Sequence, residues 1–557
     1  MESAPLHLAF IWHMHQPMYR KPETHEYMMP WVRLHATKDY LDMLHMVQRY
    51  PRLKHTFNFV PSLIEQLQDY ATGQATDRYL TLTLKPVAEL SRADQQEILE
   101  SFFDLNHQQM IFPYPRYKEL LEKKQRGETY TPQDFIDLTL WFNLSWTDPL
   151  HRETYPQLQE WITQGSGFSE KDRETLIQIQ QNIMADTLPA YRKALASQQI
   201  ELTTTPYYHP ILPLLSDTQN AVSSRSDSTT PQQRLQAPED TKYHLQKAKA
   251  YHQQMFGQTP VGLWPSEQSM SPDLIETVAE QGFQWLASSE GILWHSLDTW
   301  AHRENGIHPD VDKLCRPYRV EINAEKHVTM VFRDIYLSDW LGFNAWKGDN
   351  VQQAHAFYQE IKKIQQRLRD ISDFPYLLTI ALDGENCWEY YQQDGKIFLE
   401  TLYQLLNDDR SIHSTSVSDY LQKHPATDTL PRLHPGSWIN SDFSTWIGEP
   451  TKNKAWDLLI TTRQELVKHD HLLNTEDRKK AWEMLYTAEG SDWFWWFGAG
   501  HSSRHDAHFD AAFRTYLTAV YRLLRLEVPA ALQKPLEPHD EAATLPLSTM
   551  QASQEGY

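Results

Sequence analysis

The sequence predicts an α/β protein built on a parallel β/α barrel. Short apolar runs recur along the chain, helical stretches separate them, and polar residues capable of chemistry follow the runs. A parallel barrel presents its functional side chains in this way, at the C-terminal ends of its strands.

The first run, residues 6–11, leads directly into His13, His15 and Gln16. A helix is expected over 37–49, and the second strand over 56–60. Residues 86–200 carry apolar positions at helical spacing, far more than one barrel helix needs, and predict a lateral layer or lid. The third strand, 200–205, precedes Pro206 and His209. Residues 216–240 are polar and almost free of large apolar groups, the composition of a flexible solvent loop. The run 261–264 precedes Glu267, and a helix over 274–279 is introduced by Ser271 and Pro272 at cap and first-turn positions. Further strands are expected at 283–287, at 328–332 before Arg333 and Asp334, and at 376–382 before Asp383, which brings the candidates to seven. Beyond about 410 the pattern turns helical, as over 452–469 and 475–488. The expected organisation is a barrel domain over 1–410, a mainly helical region over 411–532 that contributes to the cleft, and a flexible tail over 533–557.

Composition narrows the function. With 52 basic against 73 acidic side chains the formal charge is -21, which repels a phosphate backbone and excludes nucleic acid as a partner. No run approaches the length needed to span a bilayer, and the N-terminal residues lack a signal-peptide pattern, so a cytoplasmic location without membrane contact is expected. Two cysteines, Cys315 and Cys387, make neither a disulfide framework nor a thiolate metal site. The 19 Trp and 27 Tyr supply core rings, and also rings that can stack on sugar faces.

Two carboxylates stand out. Glu267 in GLWPSEQSMSPDL follows a strand and precedes a capped helix, whose backbone N–H groups favour an ionised carboxylate. Asp383 in TIALDGENCWEYY ends an apolar strand beside Glu385 and Trp388, where a carboxyl acquires the raised pKa of a general acid. Glycoside hydrolysis uses such a pair flanking the scissile bond. His13 and His15 share one face of an extended segment and are candidates for sugar hydroxyl binding, for structural hydrogen bonding or for metal ligation; no acidic or thiol partner completes a ligand set nearby in sequence. Asp492 and Trp493 lie in AEGSDWFWWFGAGH, an aromatic run between glycines that suggests a sugar platform, and Trp438 in GSWINSDFSTWIGEP allows the same reading.

Taken in order, HMHQP (13–17), FNFVPSLIEQL (57–67), TTTPYYHPILPLL (203–215), GLWPSEQSMS (262–271), ALDGENCWEYY (381–391), GSWINSDFSTWIGEP and SDWFWWFGAGH resemble glycoside hydrolase family 57 over roughly residues 6–515. The resemblance implies an incomplete seven-stranded (β/α)7 barrel with helical insertions and a C-terminal helical region, acting on α-glucans and maltooligosaccharides by a retaining mechanism without metal or organic cofactor. It implies Glu267 as nucleophile and Asp383 as acid/base, with His13, His15, His209, Trp264, Asp492 and Trp493 matching the family's motif positions; Gln16, Trp388 and Trp438 complete the expected substrate-binding set. The last two motifs look closest to the α-amylase and amylopullulanase branch. Ala499 and Gly500 depart from the family pattern, in which acidic residues are common before His501. The alternatives are a 4-α-glucanotransferase, an inactive glucan-binding homologue, and a metal-dependent carbohydrate hydrolase using His13 and His15.

Overall fold

A computed structural model describes residues 5–22, 24–498, 501, 503 and 505–537. Seven parallel strands form a barrel: β1 (Leu6–Met14), β2 (His55–Phe59), β3 (Ile200–Thr204), β4 (Gly262–Leu263), β5 (Trp285–Ser289), β6 (His327–Arg333) and β7 (Leu377–Asp383). Neighbours run β7-β1-β2-β3-β4-β5-β6, and the ring closes where Thr379 of β7 pairs with Arg333 of β6. All seven stand where the apolar runs predict them. Each run is short, and β1 is buried along its whole length, as a parallel strand covered on both faces must be.

Alternation along β1 sorts its side chains. Ala9 and Ile11 belong to a small cluster with Trp264, Trp285, Ala287, Val331 and Ala381, the barrel interior. Leu8, Phe10, Trp12 and Met14 join the main core under the surrounding helices. Alanine on three strands leaves interior room for two tryptophans. Gly262 is required by this filling, because a Cβ there would meet Trp285 Cζ2 at 2.2 Å. His13 continues the inward set, opposite Asp383 of β7 and Asn58 of β2.

Several elements differ from expectation. The helix expected over 37–49 is two helices, Trp31–Lys38 and Tyr40–Gln48, meeting at Asp39, whose carboxylate takes bonds from His35 Nδ1 (2.6 Å) and Lys38 Nζ (2.8 Å). The insertion is a helical layer with its own core, including Phe102, Tyr117, Trp141 and Trp161. The stretch 216–240, expected as a flexible loop, carries a helix Asn220–Ser224 and bonds to the C-terminal region through Arg225–Asp442 (2.9 Å) and Gln233 N to Asp457 (3.1 Å). Its polar side chains find protein partners, which composition does not reveal.

The sheet also continues past 410, since Ile412–Ser414 pairs with β1. Helices Pro450–His469, Thr475–Ala488 and Asp506–Leu524 pack together beyond it. Of the tail from 533, Glu537 accepts from Gly498 N (2.9 Å) and Thr451 Oγ1 (3.2 Å), while 538–557 lie outside the described residues. Cys315 and Cys387 are buried and unbridged. Among the described residues no helix is long and apolar enough to cross a membrane.

Candidate active site

The C-terminal strand ends open into one cleft. His13 sits at its floor with its ring stacked on Trp264 (centroids 4.7 Å, 5°). Its Nδ1 lies 2.6 Å from Asn58 Oδ1 and its Nε2 lies 3.2 Å from His209 Nε2. Asn58 Oδ1 accepts, so Nδ1 of His13 carries the proton and its Nε2 takes a bond from His209 Nε2–H. His209 Nδ1 is then left to accept from the Ser491 hydroxyl at 2.8 Å. Burial, and then the other histidines, hold both His13 and His209 well below the usual histidine pKa, which matches this neutral relay. His15 lies above, stacked on His209 at 3.8 Å and bonded through Nε2 to Asp492 Oδ1 at 2.7 Å. Its backbone N–H donates to Glu385 Oε1 (2.8 Å), which also takes Gln16 Nε2 (3.4 Å).

Glu267 occupies a single 3-10 turn, Ser266–Gln268, after β4, with φ of 56° at Glu267 and 50° at Gln268. Left-handed backbone at two successive non-glycine residues is costly, and such strain gathers at functional sites. His209 shares it, with φ of 57°. The turn is laced to the C-terminal region: Trp438 N donates to Glu267 O (2.9 Å), and Met270 and Gly436 bond reciprocally. Gly436 has to be glycine, since a Cβ would meet Ser441 O at 2.0 Å.

The expectation that helix-terminal N–H groups keep Glu267 ionised is not met. Ser271 makes no side-chain cap, and the carboxylate is bonded instead by the Trp438 indole N–H, at 2.7 Å from Oε2. Burial, then Asp383 and Asp492, push Glu267 well above the usual carboxylate range, with only the indole opposing. Asp383, at the end of β7, is raised by burial, as its apolar strand predicts; Asn386, His15 and Arg333 pull the other way. Asn386 Nδ2 donates to Asp383 Oδ2 at 3.0 Å. Arg333, at the end of β6, lies over the Trp438 ring at 4.9 Å and donates to Ala381 O at 3.1 Å. After burial, the charge of Asp383 is thus the strongest influence raising Glu267.

Of the sequence-predicted residues, His13, His15, Gln16, His209, Glu267, Asp383, Trp438 and Asp492 line the cleft. Trp264, Trp388 and Trp493 do not, and their expected contact with substrate is corrected accordingly. Trp264 fills the barrel under His13; Trp388 donates its indole N–H to Gly384 O (2.8 Å); Trp493 donates to Thr487 O (2.8 Å). Each is about 1% exposed. The rings that line the wall are instead Trp31, at the start of helix Trp31–Lys38, Trp146 from the insertion, and Trp495 and Trp496 from the C-terminal region. Trp495 and Trp496 stood in the quoted aromatic run. Trp146 carried no local signal, because only the fold of the insertion brings it to the barrel mouth. Ala499 and Gly500 lie outside the described residues, while His501 stacks on Trp495 at 4.0 Å.

One set in the cleft has the composition of a metal site. His15, His209 and Asp492 offer ligand atoms within 4.8 Å of one another. The two imidazoles are stacked, however, at 19° between planes, and each ring nitrogen's lone pair lies in its own plane. An ion between them would be out of plane for both unless a ring turned.

A family model described as Glycosyl hydrolase family 57 matches residues 9–432. Among solved structures, the chain is similar to a branching enzyme of this type from Pyrococcus horikoshii (14% identity, 99% of each chain covered, TM-score 0.58). It is similar also to one from Thermococcus kodakaraensis (15%, 99% of this chain and 98% of that, TM-score 0.59). An α-amylase from Thermotoga maritima shares the fold too (13%, 94% and 93%, TM-score 0.56). No curated protein matches the sequence.

Proposed function

The chain belongs to glycosyl hydrolase family 57, and on that footing we propose that it cleaves α-1,4-glucosidic bonds of starch- or glycogen-type α-glucans with retention of configuration. One observation carries the reading: two largely buried carboxyls, Glu267 after β4 and Asp383 at the end of β7, face the same aromatic-walled cleft, and the charge of Asp383 raises Glu267. Glu267 attacks the anomeric carbon while Asp383 protonates the departing glycosidic oxygen; Asp383 then takes a proton from the water that releases the glucosyl group. The pair must carry one proton between them, and the mutual repulsion of two buried carboxylates favours that state. The Trp438 indole holds Glu267 in line, and His13, His15 and Asp492 are placed to bond sugar hydroxyls.

Removing the Asn386 amide, which stabilises ionised Asp383, raises the acid's pKa. Asn386→Ala is therefore expected to move the alkaline limb of kcat/KM upward by roughly half a unit to one unit. An unmoved limb would detach Asn386 from the titration of Asp383.

The second reading is transfer of the same glucosyl group to a sugar hydroxyl, as in a 4-α-glucanotransferase, since the covalent intermediate is common and only the acceptor differs. Maltoheptaose separates the two. Hydrolysis yields only shorter sugars, released as α-anomers; transfer yields longer ones as well. Longer products dominating from the first turnovers would overturn the hydrolytic reading.

A further inference from the structure

Among the described residues, six acids line the cleft, Asp104, Glu267, Asp339, Asp383, Glu389 and Asp492, against one side chain of permanent positive charge, Arg333. Where that charge sits therefore matters. Arg333 ends β6, and its backbone pairs with Ser289 of β5 and Thr379 of β7, so the closure of the barrel fixes its place. Its side chain is 5% exposed. Nη1 donates to Ala381 O at 3.1 Å and Nη2 to Asp339 Oδ1 at 3.3 Å, while Nε has no hydrogen-bond partner. The guanidinium lies over the Trp438 ring, with Cζ 4.9 Å from the ring centre.

From this position the charge reaches both catalytic carboxyls, by different routes. Trp438 donates its indole N–H to Glu267 Oε2 at 2.7 Å. A cation over an indole draws electron density from the ring, which makes the N–H a stronger donor and favours an ionised acceptor. The second route is direct. Ala381, whose carbonyl Arg333 holds, stands two residues before Asp383 on β7, and Arg333 is among the charges that act on Asp383. Asp339 offsets part of the arginine's charge but is not among those charges, so the ion pair turns its positive end toward the site.

We propose that Arg333 is a positioning residue that serves both catalytic carboxyls as their shared counterion, acting on Asp383 directly and on Glu267 through the Trp438 ring. The proposal rests on the retaining reading above and deepens it. Attack requires ionised Glu267, and release of the glucosyl group requires ionised Asp383 to take a proton from water. Both are the charged forms that a nearby cation favours. The other groups facing Glu267 are His209, whose Nδ1 lies 3.8 Å from Oε1, and Asp492; those facing Asp383 are His15, Asn386 and Glu385. All of these remain when Arg333 is replaced.

The test follows kcat/KM of the full-length protein on maltoheptaose against pH in Arg333→Gln, Trp438→Phe and the double variant. Arg333→Gln is expected to move the alkaline limb upward by about one unit, because Asp383 without the cation keeps its proton to higher pH. The acid limb should also move upward, by about half a unit, because Glu267 is then protonated sooner as pH falls. In the Trp438→Phe background the acid limb no longer responds to Arg333→Gln, and the alkaline limb still does. Infrared titration of the protonated carboxyl band that Glu267→Gln abolishes should show the same upward shift in Arg333→Gln without any turnover. Wild type that left maltoheptaose intact would sink the glycosidase reading and leave this titration standing. If Arg333→Gln does not fold, Arg333→Gln with Asp339→Asn leaves no unpaired buried charge and takes its place, with shifts of the same sign expected. Either limb unmoved would overturn the proposal and leave Arg333 as a residue that closes the barrel. So would an acid-limb shift that persists in full without the indole.

Discussion

Glu267→Gln is expected to lower kcat on amylose by at least ~10³-fold, because the glutamine amide keeps the side chain's volume but cannot form the glycosyl ester, and loss of a nucleophile falls on the transition state. Glucan binding should change little. The wall rings are untouched, and the glutamine carbonyl oxygen can still accept the Trp438 indole N–H that now reaches Oε2 at 2.7 Å. The two readouts therefore separate: kcat by steady-state kinetics collapses, while affinity for a maltooligosaccharide by calorimetry stays within a few-fold. Activity near wild type would remove Glu267 from the chemistry. A parallel loss of binding and folding would mean that the strained turn at 266–268 had been disturbed.

Asp383→Ala is the second large effect, and it depends on the leaving group. A sugar hydroxyl departs poorly without a proton, so activity on amylose should fall by ~10²–10⁴-fold, the usual contribution of a general acid. Fluoride departs unaided. With α-glucosyl fluoride the first step should survive, leaving a glucosyl-enzyme that accumulates because no base activates water. Azide, which needs no base, should restore turnover and release a glucosyl azide of α configuration. A β-configured product would place the nucleophilic role elsewhere. No rescue with either substrate would make Asp383 a structural or binding residue.

Much of the barrel was legible in the sequence because a strand buried on both faces reads as a near-continuous apolar run, although Thr56 and Asn58 interrupt β2 and Glu201 interrupts β3. Even two-residue β4 could be found, since Trp264, Pro265 and Glu267 follow it so closely. Helix boundaries were less legible: the break at Asp39 is set by a lysine and a histidine that close on its carboxylate, and no local propensity records that. At the site, residues on strand ends were readable one by one, whereas Trp264, Trp388 and Trp493 were misassigned because motif position does not tell which way a ring points. Trp264 turns into the barrel because Ala9, Ala287 and Ala381 leave space there. The environment of Glu267 was also misjudged, since its hydrogen-bond donor, Trp438, lies 171 residues away.

The covalent bond itself provides the most direct measurement. Asp383→Ala incubated with α-glucosyl fluoride in the absence of azide, then digested and analysed by mass spectrometry, should show one glucosyl unit on the peptide that contains Glu267, with fragmentation placing it on that side chain, and the adduct should vanish on adding azide. A glucosyl unit on a different residue, or complete consumption of the fluoride with no adduct and a β-configured product, would contradict the assignment of Glu267 as the nucleophile of a retaining enzyme.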